Sequence, residues 1–106
     1  MFIVVLVTAP SKKEAKVIAG RLLKEKVIAC ANILEGVESL FWWQGKIDRA
    51  KEVLLVLKSR RSRLAKIIRL VKAAHSYKVP EIIALPIQGG SKDYLRWIDE
   101  SLGKSN

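Results

Sequence analysis

Chemistry beyond simple packing has few carriers in this chain. There is one cysteine, Cys30, and one histidine, His75, forty-five positions apart. No nucleophile elbow, Gly-rich phosphate loop or H-E-x-x-H helix accompanies them, so hydrolytic and redox catalysis lack their usual parts and the chain reads as a non-enzyme. Cys30 lies in Ile28-Ala29-Cys30-Ala31-Asn32. There it is either a small core residue or a soft thiolate suited to Cu(I) if a second donor comes near. His75 closes a predicted helix, where the negative end of the dipole favours imidazolium. It is either a C-terminal cap or a site residue, with Tyr77 and Glu81 following in a short connector. One Cys, one His and one carboxylate per chain make a poor isolated metal site, but an oligomer can bring residues of several subunits into one cleft. Trp42 and Trp43, beside a Gly-containing turn, suit an interface anchor or a base-stacking platform.

Hydrophobic periodicity supplies the elements that must position these residues. Phe2 to Thr8 is a continuous apolar run of strand length. Ser11 and Glu14 form a capping box for a helix whose inner face is Ala15, Ile18, Ala19, Leu22 and Leu23. Val27 to Leu34 reads as a strand entering a hairpin at Gln44-Gly45, with the return strand through Val53 to Leu57. A second helix runs from Arg61 to about His75, and a strand from Ile82 to Ile87 holds Pro86, which belongs at an edge or strand end. Ser91 caps a last helix carrying Leu95, Ile98 and Leu102, closed by Gly103. The order is an α+β, ferredoxin-like βαββαβ sandwich with an extra C-terminal helix, one domain over residues 1–106.

The strands at 2–7, 27–31 and 53–57 do not alternate apolar with polar, although an antiparallel sheet with one solvated face should. The second face is therefore expected to be covered by other copies of the chain, in a homo-oligomer joined through sheet faces and the long hairpin. A single cysteine fits a reducing compartment, and the run at 2–7 is too short to span a bilayer, so the reading is a cytoplasmic protein with no membrane association. Twenty Lys and Arg against ten Asp and Glu give a net charge of +10, with eight basic residues and no acid between 53 and 80. A solvated face is the default for that pattern. Nucleic-acid binding through the basic helix is the less favoured reading, since no strand shows the aromatic pattern that stacks RNA bases.

Taken together, Leu23-Lys24-Glu25-Lys26-Val27-Ile28-Ala29-Cys30-Ala31-Asn32-Ile33, the Trp42-Trp43-Gln44-Gly45-Lys46-Ile47 hairpin, Lys58, the stretch from His75 to Glu81, and Asp93-Tyr94-Leu95-Arg96-Trp97 resemble the CutA divalent-cation tolerance proteins. The likeness runs from Phe2 to Leu102. It implies a trimer with intertwined hairpins, architecturally akin to the PII signalling proteins, and a role in tolerance to copper and other divalent cations. It further implies an intersubunit site with Cys30, His75, Glu52 and Glu81 as metal donors and with Asn32, Trp43, Lys58 and Tyr77 forming the cleft. The chain departs from the family pattern at Ser76, where Pro is usual, at Lys78, where an acid is usual, and at Arg49, Ala50 and Lys51. These changes remove negative charge beside the cleft, and Coulomb's law then favours an anionic small molecule, as in a PII-like signalling module.

Overall fold

The computed structural model describes residues 1–104; Ser105 and Asn106, the end of the expected domain, lie outside the described residues. Strand β1 (Phe2–Ala9) leads to helix α1 (Lys12–Lys24), the long strands β2 (Cys30–Trp43) and β3 (Lys46–Arg60), helix α2 (Leu64–Ala74), strand β4 (Ile82–Pro86) and helix α3 (Lys92–Leu102). The sheet order is β2-β3-β1-β4, antiparallel throughout, as in a ferredoxin-like sandwich.

Local chemistry accounts for most boundaries. Ser11 Oγ accepts the Glu14 N–H at the start of α1. The capping box is only half formed, however, because the Glu14 carboxylate turns away to Ser76. At the hairpin, Gln44 (φ 50°) and Gly45 (φ 77°) both take positive φ. That two-residue turn matches the right-handed twist of long strands. A bulge at Glu35-Gly36, with Gly36 at φ 77°, shifts the β2–β3 register between Leu34 and Val37.

Three expected boundaries differ. Val27 to Ala29 precede β2 rather than belonging to it. Lys26 turns the chain at φ 57°, and the buried approach is held by Val27 N–H to Leu22 O, Ser59 Oγ–H to Val27 O (2.6 Å) and Ala29 N–H to Lys58 O. Arg61–Arg63 form a 3-10 turn before α2, because no side chain caps this helix start. The fourth strand stops at Pro86, which pairs with Ile3 on the outer edge of the sheet.

Helices α1 and α2 pack together on one face, closing a core of Val5, Val7, Leu55 and Leu57 from the strands with Ile18, Leu22, Ile67 and Val71 from the helices. On the opposite face α3 covers one end only, through Ile98 and Leu102 against Ala29 and Phe2. The rest of that face is largely apolar, with Val4, Leu6, Leu54 and Val56 half-buried and Leu34, Ile83 and Leu85 exposed, and is interrupted by Asn32 and Lys58. The hairpin extends beyond the sandwich and bears Leu40, Trp42 and Ile47 at 70, 73 and 67% exposure. Such large apolar side chains on one surface are a mark of an interaction site.

Candidate functional site

The end of α2 meets the end of β1 through His75. Its side chain is wholly buried, Nε2–H donates to the Thr8 carbonyl at 2.7 Å, and Nδ1 accepts the Tyr77 N–H at 3.0 Å. These bonds engage both ring nitrogens, and Glu14 Oε2 also lies 3.4 Å from Nδ1. In the single chain His75 thus spends both nitrogens on neighbouring protein groups, and the ring pins the connector that follows it.

Two further anchors hold that connector. Glu14 Oε2 accepts the Ser76 N–H (3.1 Å) and hydroxyl (3.0 Å), and the Tyr77 ring packs tilted against His75 at 4.7 Å. Tyr77 Oη then donates to Glu52 Oε2 at 3.0 Å, joining connector to β3. Burial, the hydrogen bond to Glu52, and the charges of Glu52 and Glu14 push the Tyr77 hydroxyl up to about 12. Burial first, and then the Glu52 charge, also raise Glu81 above the ordinary carboxylate range.

These groups border a cleft of about 970 Å³ between the connector and the strands of the hairpin, walled by Phe41, Trp42, Trp43 and Tyr77. Its charged lining is Glu38, Asp48, Glu52 and Glu81 against Arg49 and Lys78. Glu52 is only 8% exposed, yet Tyr77 is its one hydrogen-bond partner among the described residues. Of the basic departures, Arg49 and Lys78 reach the cleft and Lys51 does not line it; the acids still outnumber them.

The remaining expected site residues assemble elsewhere. Cys30 pairs with Lys58 across β2 and β3, and Lys58 Nζ donates to Asn32 Oδ1 and, at 3.8 Å, to Cys30 Sγ. Burial and the adjacent Cys30 push the Tyr94 hydroxyl of α3 up. Lys58 stands six residues along β3 from Glu52, about 20 Å at strand spacing. Within one chain, Cys30 therefore cannot share an ion with Glu52 or Glu81, and the Lys58 ammonium opposes a cation at the sulfur. No cluster of three or more His, Cys, Asp or Glu suited to a metal forms among the described residues. The single-chain set Cys30, His75, Glu52 and Glu81 is thus split. Glu52, Glu81, Trp43 and Tyr77 meet in the cleft, with His75 behind it, while Cys30, Asn32 and Lys58 form a second cluster. Sequence reasoning missed Glu14, Glu38 and Asp48 as site residues; the three-residue spacing from Ser11 that marks Glu14 as a capping residue carries no sign of its bond to Ser76.

The fold and cleft can be set beside known proteins. Residues 3–101 match the family model described as CutA1 divalent ion tolerance protein. A chloroplastic CutA 1 protein of Oryza sativa is 48% identical over 97% of the chain, which spans 58% of that relative's length. The structure described as the periplasmic divalent cation tolerance protein CutA from Archaeoglobus fulgidus superposes with a TM-score of 0.94 at 46% identity, covering 97% of this chain and all of the other. The Cut A1 structure from Thermus thermophilus gives 0.95 at 44% identity, with coverage of 97% and 100%. The cytoplasmic assignment is corrected by these relatives, whose stated compartments are the chloroplast and the periplasm. A lone cysteine and a short apolar run exclude neither, because both observations concern disulfides and bilayer spans rather than addresses. No described helix is long and apolar enough to cross a membrane. With the fold, the hairpin and the connector aligned over nearly its whole length, the chain belongs to the CutA1 divalent ion tolerance family.

Proposed function

We propose that this protein serves divalent-cation tolerance by binding, not catalysis, and that it works as a PII-like homotrimer with a cation seated at the cleft of Glu52, Tyr77 and Glu81. One observation carries the reading. In a chain of net charge +10, the cleft is lined by four carboxylates against two cations, and burial together with the Glu52 charge raises Glu81 above its ordinary range. A divalent cation relieves that repulsion. The apolar sheet face and the exposed hairpin are the surfaces through which copies join, and a neighbouring copy supplies the further donors that one chain lacks. Copper is the first ion to test, since carboxylates and water accept Cu(II) and the order of affinities among divalent ions favours it.

The test is calorimetric titration of Cu(II), Zn(II) and Mg(II) into the full chain and into Glu52→Gln and Glu81→Gln, with the mass measured by light scattering. Saturable binding that each variant weakens at least tenfold supports the reading. Binding that is absent, or indifferent to both variants, overturns it. Arg49 and Lys78 at the cleft favour one second reading, an anionic small molecule in a signalling role. A thermal-shift screen of nucleotides and polyphosphates separates the two, because a ligand at 100 times its Kd adds about 2.7 kcal/mol to stability.

A further inference from the structure

The net charge is not spread over the molecule. Residues 12–26 and 61–72, which are α1, α2 and their flanks, hold eleven Lys and Arg and two Glu, so +9 of the +10 resides in them. The rest of the chain is close to neutral. Both acids are engaged: Glu14 with Ser76, and Glu25 with Arg21 and Lys66. Lys13, Lys16, Lys24, Lys26, Arg69 and Lys72 are exposed and enter no ion pair among the described residues.

We infer that this helical layer is a docking surface for the phosphate backbone of double-stranded nucleic acid, read without regard to sequence. The inference goes beyond the cation-tolerance reading and is independent of it. Three observations select the partner. Lys13 to Lys24 run about 16 Å along α1, with α2 alongside carrying Arg69 and Lys72. A duplex presents about one charge per 1.7 Å of its axis, so a surface of that reach meets several phosphates at once. The layer exposes no aromatic residue among the described ones, whereas single strands are held by stacking on aromatic platforms. Of large apolar side chains the two helices expose only Val17 and Leu23, too few to anchor in a bilayer. The layer also lies on the sheet face opposite the uncovered apolar one, so copies that join through the apolar face leave the helices outward.

Fluorescence anisotropy with a labelled 30-base-pair duplex of arbitrary sequence tests this, using the full chain, a Lys13→Glu/Lys16→Glu variant and an Arg69→Glu/Lys72→Glu variant. A Lys46→Glu/Lys92→Glu variant, changed on the hairpin and α3, is the control. With six phosphate contacts, affinity should fall about 10³-fold between 50 and 200 mM salt. Each helix variant should lose at least tenfold in affinity, the control less than threefold, and circular dichroism verifies that all are folded. No duplex binding at 50 mM salt overturns the inference. So does equal weakening by the control, tighter binding to a single strand of the same length, or binding to anionic phosphatidylglycerol vesicles without binding to the duplex.

Discussion

Glu14 Oε2 accepts two hydrogen bonds from Ser76, one from its backbone N–H at 3.1 Å and one from its hydroxyl at 3.0 Å. The pair of bonds ties the first turn of α1 to the connector sixty-two residues later; the hydroxyl belongs to the serine, and the N–H is one that any residue but proline supplies. Proline, the usual residue at this place in the resemblance described above, has neither. Ser76→Ala should lower stability by about 0.5–1.5 kcal/mol, and Glu14→Ala by more, since it removes the acceptor of both bonds and a first-turn acid. A double-mutant cycle by urea unfolding should return a positive coupling energy; zero coupling would show that the pair contributes nothing.

His75 is the residue whose loss the fold should feel most along this connector. His75→Ala opens a buried cavity and leaves the Thr8 carbonyl and the Tyr77 N–H without partners. A cost of about 3 kcal/mol or more is expected from those two effects together. His75→Gln, which can keep one of the bonds, should recover part of it. A Cu(II) affinity that falls in His75→Gln without loss of stability would assign this residue a metal-donor role.

Alkaline stability should depend on Tyr77. Its hydroxyl is raised to about 12 in the folded chain against an ordinary 10, so the folded state holds this proton more tightly than the unfolded one. The associated stability is fully present below pH 10 and is lost as pH rises from 10 towards 12. Tyr77→Phe should flatten that limb in thermal melts, and ultraviolet titration of tyrosinate should lose one of its two late-ionising components, leaving that of Tyr94.

Glu81 carries the same sign into the acid range. Burial and Glu52 raise its carboxyl, so ionising it opposes folding, and that opposition is absent below the ordinary carboxylate range and complete above the raised value. Glu81→Gln should therefore be more stable than the parent at pH 7 and equal to it near pH 3. The same substitution should weaken cation binding, a trade of stability for function that melts with and without Cu(II) would display together.

The hairpin tip supplies a test of assembly. Trp42→Glu places a charge on a side chain 73% exposed in the single chain, so folding of one copy should tolerate it. If Trp42 is covered by another copy, the variant should sediment at lower mass at micromolar concentration while keeping its circular dichroism spectrum. An unchanged mass would remove Trp42 from the interface.

Much of this architecture is legible in the sequence because the signals are local. Ser11, the Gln44-Gly45 turn, Pro86 and the Ser91 cap each act within a few residues, and each marks a boundary found in the structure. The unbroken apolar strands likewise report the uncovered sheet face. The site is less legible, because its bonds are long-range. Glu52 meets Tyr77 across twenty-five residues and His75 meets Thr8 across sixty-seven. A family resemblance could bring Glu52, Tyr77 and Glu81 into one group. It could not reveal that His75 has spent both nitrogens on the backbone, nor that Cys30 lies beside the Lys58 ammonium rather than beside the carboxylates.

The two borders of the sheet are unlike. At β4 the strand is five residues long and finishes in a proline that cannot donate; at β2 it runs fourteen residues with its outer hydrogen-bonding groups in a row. Strand-to-strand growth is therefore directional: the β2 border is the template and the β4 border is nearly inert. Wherever the β2 border is left uncovered, it is the edge at which strand-to-strand misassociation into fibrils would begin.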